Sequence, residues 1–316
     1  MEQIQRIKFL IEKNPTIVLV GKKTEILKNF IEHLILKKLG QKREIMILET
    51  SEEKIENFKF YLQKTKFGIL ILKEAPENFD KFLSFLKELP PKINLVFNFE
   101  EKKLRKLKDL VNLHSLSFGM EEKADVFLSS LKFNFGMNIK ISFGGAIVPF
   151  WLEKIFGREY ILNLLATVSC GILLGINLVE ISQIFKDFEG KPGKKRLIEG
   201  ISGSFILDDS KSFEIEEKRE ALEILKEIPW TKRKICVLDD EFSQEIFDLA
   251  LKVCDLVFVF GEKDSVEMKE KILFFDKIEK GIEKLREMLK ENDLILILGS
   301  QKINFEILID EIRKIW

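Results

Sequence analysis

The stretch that decides the fold is TIVLVGKKTEIL, residues 16–27. Its apolar run, Ile17 to Val20, predicts a buried strand that leads through Gly21-Lys22-Lys23-Thr24 directly into a helical pattern. A strand, a turn and a helix start in this order frame a phosphate-binding loop. The full loop has the pattern G-x-x-x-x-G-K-[ST], in which several backbone N–H groups curl around a phosphate. Here one glycine separates the strand from the lysines. By itself, the stretch is equally consistent with a shortened phosphate loop and with a solvated turn.

The composition is that of a globular protein large enough for two domains. The chain has 316 residues, of which 46% are hydrophobic and 33% charged. Its 52 basic and 52 acidic side chains cancel, which argues against general attraction to nucleic acid or to anionic membranes. Three widely spaced cysteines and two histidines argue against a disulfide framework and a histidine-rich metal site. Without an apolar leader or a membrane-spanning run, the sequence predicts a cytoplasmic protein.

The order of apolar runs predicts an α/β fold with two domains. Strand and helix patterns alternate up to about residue 112, as in a parallel sheet with helices on its faces. From about residue 113, closely spaced strands predict an antiparallel extension of the same sheet. The segment Gly190-Lys-Pro-Gly-Lys-Lys195 is the best linker candidate, and the alternation restarts beyond it. We therefore expect one domain over residues 1–190 and a second parallel α/β domain over residues 191–316.

Polar residues at the carboxyl ends of the predicted strands are the candidate site residues, because open parallel sheets bind ligands there. Two acids, a hydroxyl and a lysine at one strand end can hold ribose, metal and phosphate, whereas a carboxylate after the third strand suits magnesium. Structural alternatives are a solvated turn, an exposed glutamate and helix capping by Ser212. The four places are Gly21 to Thr24, Lys73-Glu74, Asp208-Asp209-Ser210-Lys211 and Gly299-Ser300.

The ordered set of short motifs resembles the Mur ligase family, the ATP-dependent enzymes that add amino acids to the muropeptide precursor. The resemblance extends from about residue 16 to the C-terminus, and its specificity lies in the order of the motifs. The matching segments are Phe97 to Leu104 (family N-A-D-D-P-x-L), Leu116 to Gly119 with Ala124-Asp125-Val126 (TFG and ADV), Gly157 to Ala166 (G-x-H-x-x-x-N-x-L-A), Leu174-Gly175-Ile176, Pro192-Gly193 with Arg196-Leu197, Asp208 to Lys211, Ala221-Leu222, and Asn292 to Ser300.

This resemblance implies a central ATPase domain and a C-terminal Rossmann-like domain. It also implies an ATP-dependent acid–amino-acid ligase of peptidoglycan precursor synthesis, which forms a C–N bond through an acyl phosphate with ATP and Mg²⁺ as cofactors. The expected partners are a nucleotide and an amino acid or muropeptide-like acceptor. By resemblance, the phosphate of the nucleotide is bound by Gly21, Lys22, Lys23 and Thr24. Asn163 contacts the adenine, and Arg196 and Asp209 contact the ribose. The catalytic residues are Lys211 and Glu74, and the magnesium ligands are Thr24 and Glu74.

Several positions depart from the family pattern. The phosphate loop is shorter by about three residues, Glu159 occupies the histidine position of G-x-H, and Leu298 stands where lysine is usual. Only one short predicted helix, residues 2–13, precedes the first strand, so we expect the UDP-binding domain to be missing or supplied by a protein partner. Lys81 corresponds only weakly to the family's modified lysine. The alternatives are a non-catalytic pseudo-ligase that serves as a binding or scaffold partner and, more remotely, an unrelated P-loop kinase or ATPase.

Overall fold

The computed structural model describes residues 14–40, 45–261 and 271–314, so the predicted helix over residues 2–13 lies outside the described residues. The chain divides into two compact units. Of the described residues, the first unit contains those up to Leu131, together with Asn138–Trp151 and Arg158–Phe188. The second unit contains Lys132–Met137, Leu152–Gly157 and the residues from Glu189 onward.

An eight-stranded sheet, with helices beside it, confirms the predicted first parallel sheet. Its strands are β1 (Thr16–Val20), β2 (Met46–Thr50), β3 (Gly68–Leu72), β4 (Ile93–Asn98), β5 (Ser115–Gly119), β6 (Val126–Phe133), β7 (Gly136–Phe143) and β8 (Ala146–Glu153). The helices of the first unit are α1 (Glu25–Leu39), α2 (Lys59–Lys64), α3 (Phe79–Lys87), α4 (Leu107–Leu110), α5 (Arg158–Leu173) and α6 (Leu178–Ile184), with short 3₁₀ turns at Glu52–Phe58, Leu104–Lys106 and Phe185–Asp187.

The buried strand β1 lies between two parallel neighbours and sets the position of the candidate site. The sheet order is β2-β1-β3-β4-β5-β6-β7-β8. All five residues of β1 are buried, and Val20 is paired with Thr50 on one side and with Leu72 on the other. Because parallel strands end at the same edge, the segments that follow β1, β2 and β3 leave the sheet side by side.

The predicted extension belongs to the same sheet, but its first junction is parallel. Strand β6 begins beside the last residues of β5, with Phe118 opposite Val126 and Gly119 opposite Phe127, and it continues in the same direction. The junction therefore needs only a short return loop, residues 120–125. Strands β7 and β8 follow through two-residue turns, which join antiparallel neighbours. Gly144 and Gly145 supply the positive φ angles of the second turn.

Helix α5 anchors the first unit. It contacts α1 and strands β3, β4 and β5, and most of its residues are buried. Phe30 of α1 contributes an aromatic cluster, with ring centroids 5.3 Å from Phe185 and 4.1 Å from Phe188. The Phe30 ring also lies 6.1 Å from that of Tyr160, so the cluster packs against the amino end of α5, where Arg158 and Glu159 lie.

The second unit is the predicted parallel α/β unit with one antiparallel edge strand. Its sheet order is β13-β12-β11-β14-β10-β9, and only the pairing of β9 with β10 is antiparallel. The sequence did not indicate β9, since it is short and lies directly after the linker. Its elements are β9 (Arg196–Glu199), β10 (Phe205–Asp209), α7 (Ile215–Glu227), β11 (Lys234–Asp239), α8 (Gln244–Val253), β12 (Leu256–Phe260), β13 (Ile272–Phe275), α9 (Ile278–Met288), β14 (Leu294–Leu298) and α10 (Phe305–Ile312).

Strands β13, β12, β11 and β14 reproduce the order of a dinucleotide-binding half-sheet, and the order in which the parallel strands follow one another reverses between β11 and β14. Within the described ranges, no helix has the length and apolar character that crossing a membrane requires.

Candidate functional site

The turn after β1 joins strand to helix in four residues. Gly21 has φ +136° and Lys23 has φ +52°, so the chain reverses tightly before α1 begins. The Gly21 N–H donates to the Thr50 carbonyl at 3.2 Å, and the Thr24 carbonyl accepts the Lys28 N–H at 2.9 Å. Lys22 and Lys23 are exposed, whereas Thr24 is buried. The predicted phosphate residues therefore lie on one short turn at the amino end of α1, where anions are favoured.

The Thr24 hydroxyl is engaged by a carboxylate from the neighbouring strand. It donates to Glu49 Oε1 at 2.7 Å, while the Lys28 ammonium donates to Glu49 Oε2 at 2.8 Å. The hydrogen bond from Lys28 lowers the pKa of Glu49, although partial burial acts in the opposite direction. The hydrogen bond from Thr24 lowers this pKa as well, by a smaller amount. Glu49 therefore stays ionised and holds the Thr24 hydroxyl as a donor.

A lysine from the end of β3 closes the other side of this turn. Lys73 Nζ donates to the Lys23 carbonyl at 3.0 Å and lies 3.7 Å from Glu159 Oε1. The Lys73 side chain is only 13% exposed. Burial lowers its pKa, while Glu159 and Glu74 act in the opposite direction. Thus Glu159, the residue that departs from the family histidine, is the counterion of a lysine at the candidate site.

A chain of hydrogen bonds extends along the carboxyl edge to β4 and β5. Asn98 Nδ2 donates to the Lys73 carbonyl at 3.1 Å, and Asn98 Oδ1 accepts the Glu100 N–H at 3.0 Å. The Glu100 carboxylate accepts the Met120 N–H at 2.8 Å and Arg158 Nη2 at 2.6 Å. These contacts fix the backbone of Lys73. Asn98 belongs to the motif Phe97 to Leu104, but the sequence did not indicate that its side chain would hold the Lys73 backbone.

Asn163 is the buried polar residue for which the first unit offers no partner. It lies on α5 with 0% exposure, and neither Nδ2 nor Oδ1 has a hydrogen-bond partner among the described residues. An unpaired buried amide costs roughly 1–3 kcal/mol. The contact with adenine remains a prediction, and Glu74 is an exposed residue for which the metal and catalytic roles remain predictions.

In the second unit, Asp208 organises the glycine turn of the linker. Its carboxylate accepts the Gly193 N–H at 2.8 Å, the Ser210 N–H at 3.1 Å and the Ser210 hydroxyl at 2.7 Å. The Lys211 N–H donates to the Gly193 carbonyl at 2.9 Å. Gly193 has φ +81°, and a Cβ there would lie 2.5 Å from Lys211 Cγ. Glycine is therefore required where the linker lies against Lys211.

Asp209 points into the interior of the second unit. Its Oδ1 accepts the Ser212 hydroxyl at 2.5 Å and lies 3.5 Å from Lys195 Nζ, whereas Oδ2 has no partner among the described residues. Lys195 also lies 3.3 Å from Glu220. Burial raises the pKa of Asp209 to about 7, although Lys195 favours the ionised form. The ribose role of Asp209 stays a prediction, and the structure places its carboxyl group beside the Lys195 ammonium in the interior of the unit.

The other candidates of the second unit share one cavity of about 500 Å³. Gly193, Arg196 and Lys211 line it, but Asp209 does not. Arg196 Nη2 lies 2.9 Å from Glu189, and Lys211 Nζ lies 2.7 Å from Glu306. The full lining contains five cationic side chains and four carboxylates, so the cavity carries charges of both signs around the close backbone approach at Gly193.

A larger cavity, about 780 Å³, lies beside the carboxyl ends of β11, β12, β13 and β14, where the strand order of the second sheet reverses. Its polar lining includes Asp240, Lys302 and Asn304, with Phe260 and Phe275 among its apolar residues. The sequence search missed it, although Asp239-Asp240 after a strand was an available signal. Gly299-Ser300 forms the turn after β14, since Ser300 Oγ accepts the N–H groups of Lys302 and Ile303 at 3.1 and 2.9 Å.

Gly299 also lies against backbone. A Cβ on Gly299 would lie 2.2 Å from the Ser212 carbonyl oxygen and 2.9 Å from that of Ser210. Position 299 requires glycine because the backbone of the Asp208–Ser212 turn packs against it, at the end of β14.

Comparison with known proteins finds similar sequences among the UDP-N-acetylmuramate–L-alanine ligases. No family model matches the sequence. The UDP-N-acetylmuramate–L-alanine ligase of Clostridium kluyveri is 24% identical over 260 residues, which cover 72% of this chain and 55% of the relative. The chain spans about half the length of the curated relatives it matches.

Solved structures show the same fold over almost the whole chain. The MurF ligase of Thermotoga maritima, solved in complex with ADP, aligns with a TM-score of 0.71 and 17% identity, covering 98% of this chain and 83% of the other. The UDP-N-acetylmuramoylalanyl-D-glutamyl-2,6-diaminopimelate–D-alanyl-D-alanyl ligase of Acinetobacter baumannii aligns with a TM-score of 0.74 and 14% identity, covering 97% and 77%. In the order of its motifs and in its two mostly parallel sheets, the chain is similar to these Mur ligases.

Proposed function

We propose that this chain binds ATP and acts as an acid–amino-acid ligase that forms a C–N bond through an acyl phosphate. The observation that supports the proposal best is the carboxyl edge of the first sheet. There, the turn from Gly21 to Thr24 presents the amino end of α1, and Lys73 is held against it by Asn98 and Glu159. The amino end of a helix with adjacent lysines favours the phosphate groups of a nucleotide.

In the proposed reaction, a carboxylate oxygen of the acceptor forms a bond to the γ-phosphorus of ATP as the bond to the β,γ-bridging oxygen breaks and ADP leaves. The amine of an amino acid then attacks the acyl carbon, loses a proton and displaces inorganic phosphate. Lysines 22, 23 and 73 would stabilise the negative charge that develops on the transferring phosphoryl group. In the second unit, Lys211 and Arg196 line one cavity with Gly193, and we propose that they bind an anionic group of the nucleotide there.

Calorimetric titration of the full chain with ATP in the presence of Mg²⁺ tests nucleotide binding. We expect Lys211→Ala to weaken binding by about tenfold, because a charge-assisted hydrogen bond contributes about 1.5–3 kcal/mol. Lys226→Ala, on the exposed side of α7, is the matched control and should leave binding unchanged. The absence of binding at millimolar ATP would refute the proposal.

Phosphate release measured across a panel of amino acids separates ligase from ATPase. Release that depends on a particular amine supports the ligase, whereas amine-independent release indicates an ATPase. The four-residue turn favours one alternative, a pseudo-ligase that binds nucleotide without turnover, because it offers fewer backbone N–H groups than a full phosphate loop. Binding without phosphate release under all conditions would support that alternative.

A further inference from the structure

Of the two consecutive aspartates at the end of β10, Asp208 faces the cavity of about 500 Å³. Asp209, the residue expected by resemblance to contact ribose, is fully buried beside Lys195 and does not line this cavity. Successive side chains of a strand point to opposite faces of its sheet, so the two carboxylates are directed to different places. Asp208 therefore supplies the carboxylate of this turn at the cavity.

Asp208 uses both carboxylate oxygens to hold the backbone on either side of Lys211. Its Oδ1 accepts the Ser210 N–H and hydroxyl at 3.1 and 2.7 Å, and its Oδ2 accepts the Gly193 N–H at 2.8 Å. The Lys211 N–H donates to the Gly193 carbonyl at 2.9 Å. One buried side chain thus ties the linker glycine to the turn that carries the lysine.

Gly193 is the surface on which the Lys211 side chain lies. A Cβ at Gly193 would lie 2.5 Å from Lys211 Cγ, 2.7 Å from Cδ and 3.0 Å from Cβ, so the stem packs along the glycine. Its Nζ lies 2.7 Å from Glu306 Oε1, and both side chains are exposed, so the ammonium can exchange this partner for an anion from solvent. Because Asp208 fixes Gly193 and Gly193 supports the stem, the position of the ammonium depends on Asp208.

We propose that Asp208 is a positioning residue, which acts through Gly193 to place the Lys211 ammonium for an anionic group of the nucleotide. This inference rests on the proposed nucleotide binding and adds to it a residue that holds the cation rather than the ligand. A carboxylate by itself repels an anion in the same cavity. Its hydrogen bonds compensate for that repulsion, because a charge held in place needs little reorganisation when the anion binds.

Calorimetric titration of the full chain with ATP in the presence of Mg²⁺ tests the inference in Asp208→Asn. Asparagine has nearly the same shape but keeps only one acceptor oxygen, so either Gly193 or Ser210 loses its partner. We expect the Kd to rise by about threefold to tenfold, and by no more than in Lys211→Ala, because Asp208 acts through that lysine. Charge repulsion alone predicts the opposite sign, since the removal of a carboxylate from an anion site should tighten binding.

A double-mutant cycle with Lys211→Ala separates positioning from a purely structural role. In the Lys211→Ala background, Asp208→Asn should leave the Kd unchanged, because the group that Asp208 positions is gone. A general loss of structure, or a direct contact of Asp208 with the nucleotide, would weaken binding in both backgrounds. Asp248→Asn changes an exposed aspartate of α8 and is the matched control, which should leave the Kd unchanged in both.

Gly193→Ala tests the same contacts one step closer to the lysine, and it keeps the inference testable if Asp208→Asn does not fold. It should weaken ATP binding in the chain that retains Lys211 and leave the Kd unchanged in Lys211→Ala. Thermal melting followed by circular dichroism establishes that each variant is folded.

The outcomes distinguish the inference from the proposed function. Weaker binding confined to the background that retains Lys211 is the result we expect. Unchanged or tighter binding in Asp208→Asn, an equal loss in both backgrounds, or full affinity in Lys211→Ala overturns the inference and leaves ATP binding intact. If Asp208→Asn does not fold, the same results in Gly193→Ala decide. The absence of ATP binding by the wild-type chain overturns both proposals.

Discussion

Asp209 should make the stability of the protein fall as the pH rises towards neutrality. Its carboxyl group is fully buried, and burial raises its pKa from 3.8 to about 7 even with Lys195 beside it. Between these two pKa values, the folded protein holds a proton that the unfolded chain has lost. The contribution of this proton to stability is complete below pH 3.8 and is lost as the pH rises through about 7.

The magnitude follows from linkage. Each pH unit in this window changes the free energy of unfolding by about 1.36 kcal/mol, so the full window represents at most about 4 kcal/mol. Burial lowers the pKa of Lys195, but Asp209 and Glu220 outweigh burial and raise it above 10.5. Lys195 therefore stays protonated throughout the window and adds no slope of its own.

Urea unfolding at several pH values from 5 to 8 measures this slope. In the wild type, the free energy of unfolding should decrease by about 1 kcal/mol per pH unit up to about pH 7. In Asp209→Asn, which cannot ionise, the decrease should be absent. Glu216→Gln removes an exposed carboxylate from the first turn of α7 and should keep the wild-type slope. Parallel profiles for wild type and Asp209→Asn would refute the reasoning.

Three further substitutions test other parts of the structure. Asp293→Ala should lower the free energy of unfolding by about 3 kcal/mol in urea, because it leaves Arg233, bound to it at 3.0 and 2.5 Å, without its buried partner. Gly193→Ala should lower the free energy of unfolding by about 1–2 kcal/mol, since φ is +81° there. It should also weaken ATP binding in calorimetry by displacing Lys211, and an unchanged affinity would contradict the assignment of this cavity to the nucleotide. Thr24→Val should lower the free energy of unfolding in urea by about 1 kcal/mol, because it removes the hydrogen bond from the Thr24 hydroxyl to Glu49, and unchanged stability would count against that bond.

Local patterns were sufficient to predict the two parallel sheets. The apolar runs that became β1, β3, β12 and β14 are short, nearly uniform and bounded by polar residues, so burial on both faces of a sheet could be inferred from them. Helix α6 begins with a local signal of the same kind, since the Asn177 side chain accepts the Glu180 N–H at 2.9 Å and caps the helix.

Strand direction and short strands were harder to predict. The junction of β5 with β6 is parallel because β6 starts beside the end of β5, and no local residue signals that pairing. Strand β9 was missed because its four residues are too few to show a period, and only pairing with β10 defines it.

The sequence by itself determined the strand–turn–helix at residues 16–27, the restart of the alternation after the linker and the ordered motifs of the family, because these depend on residues close together in the chain. Only the tertiary structure decided which charges meet. Lys73 reaches a carbonyl 50 residues away, and Lys195 lies on Asp209 inside the second unit. Such contacts depend on which strands become neighbours in the sheet and on which side chains become buried. Those two factors set the pKa of Asp209 and place an ammonium group at the phosphate turn.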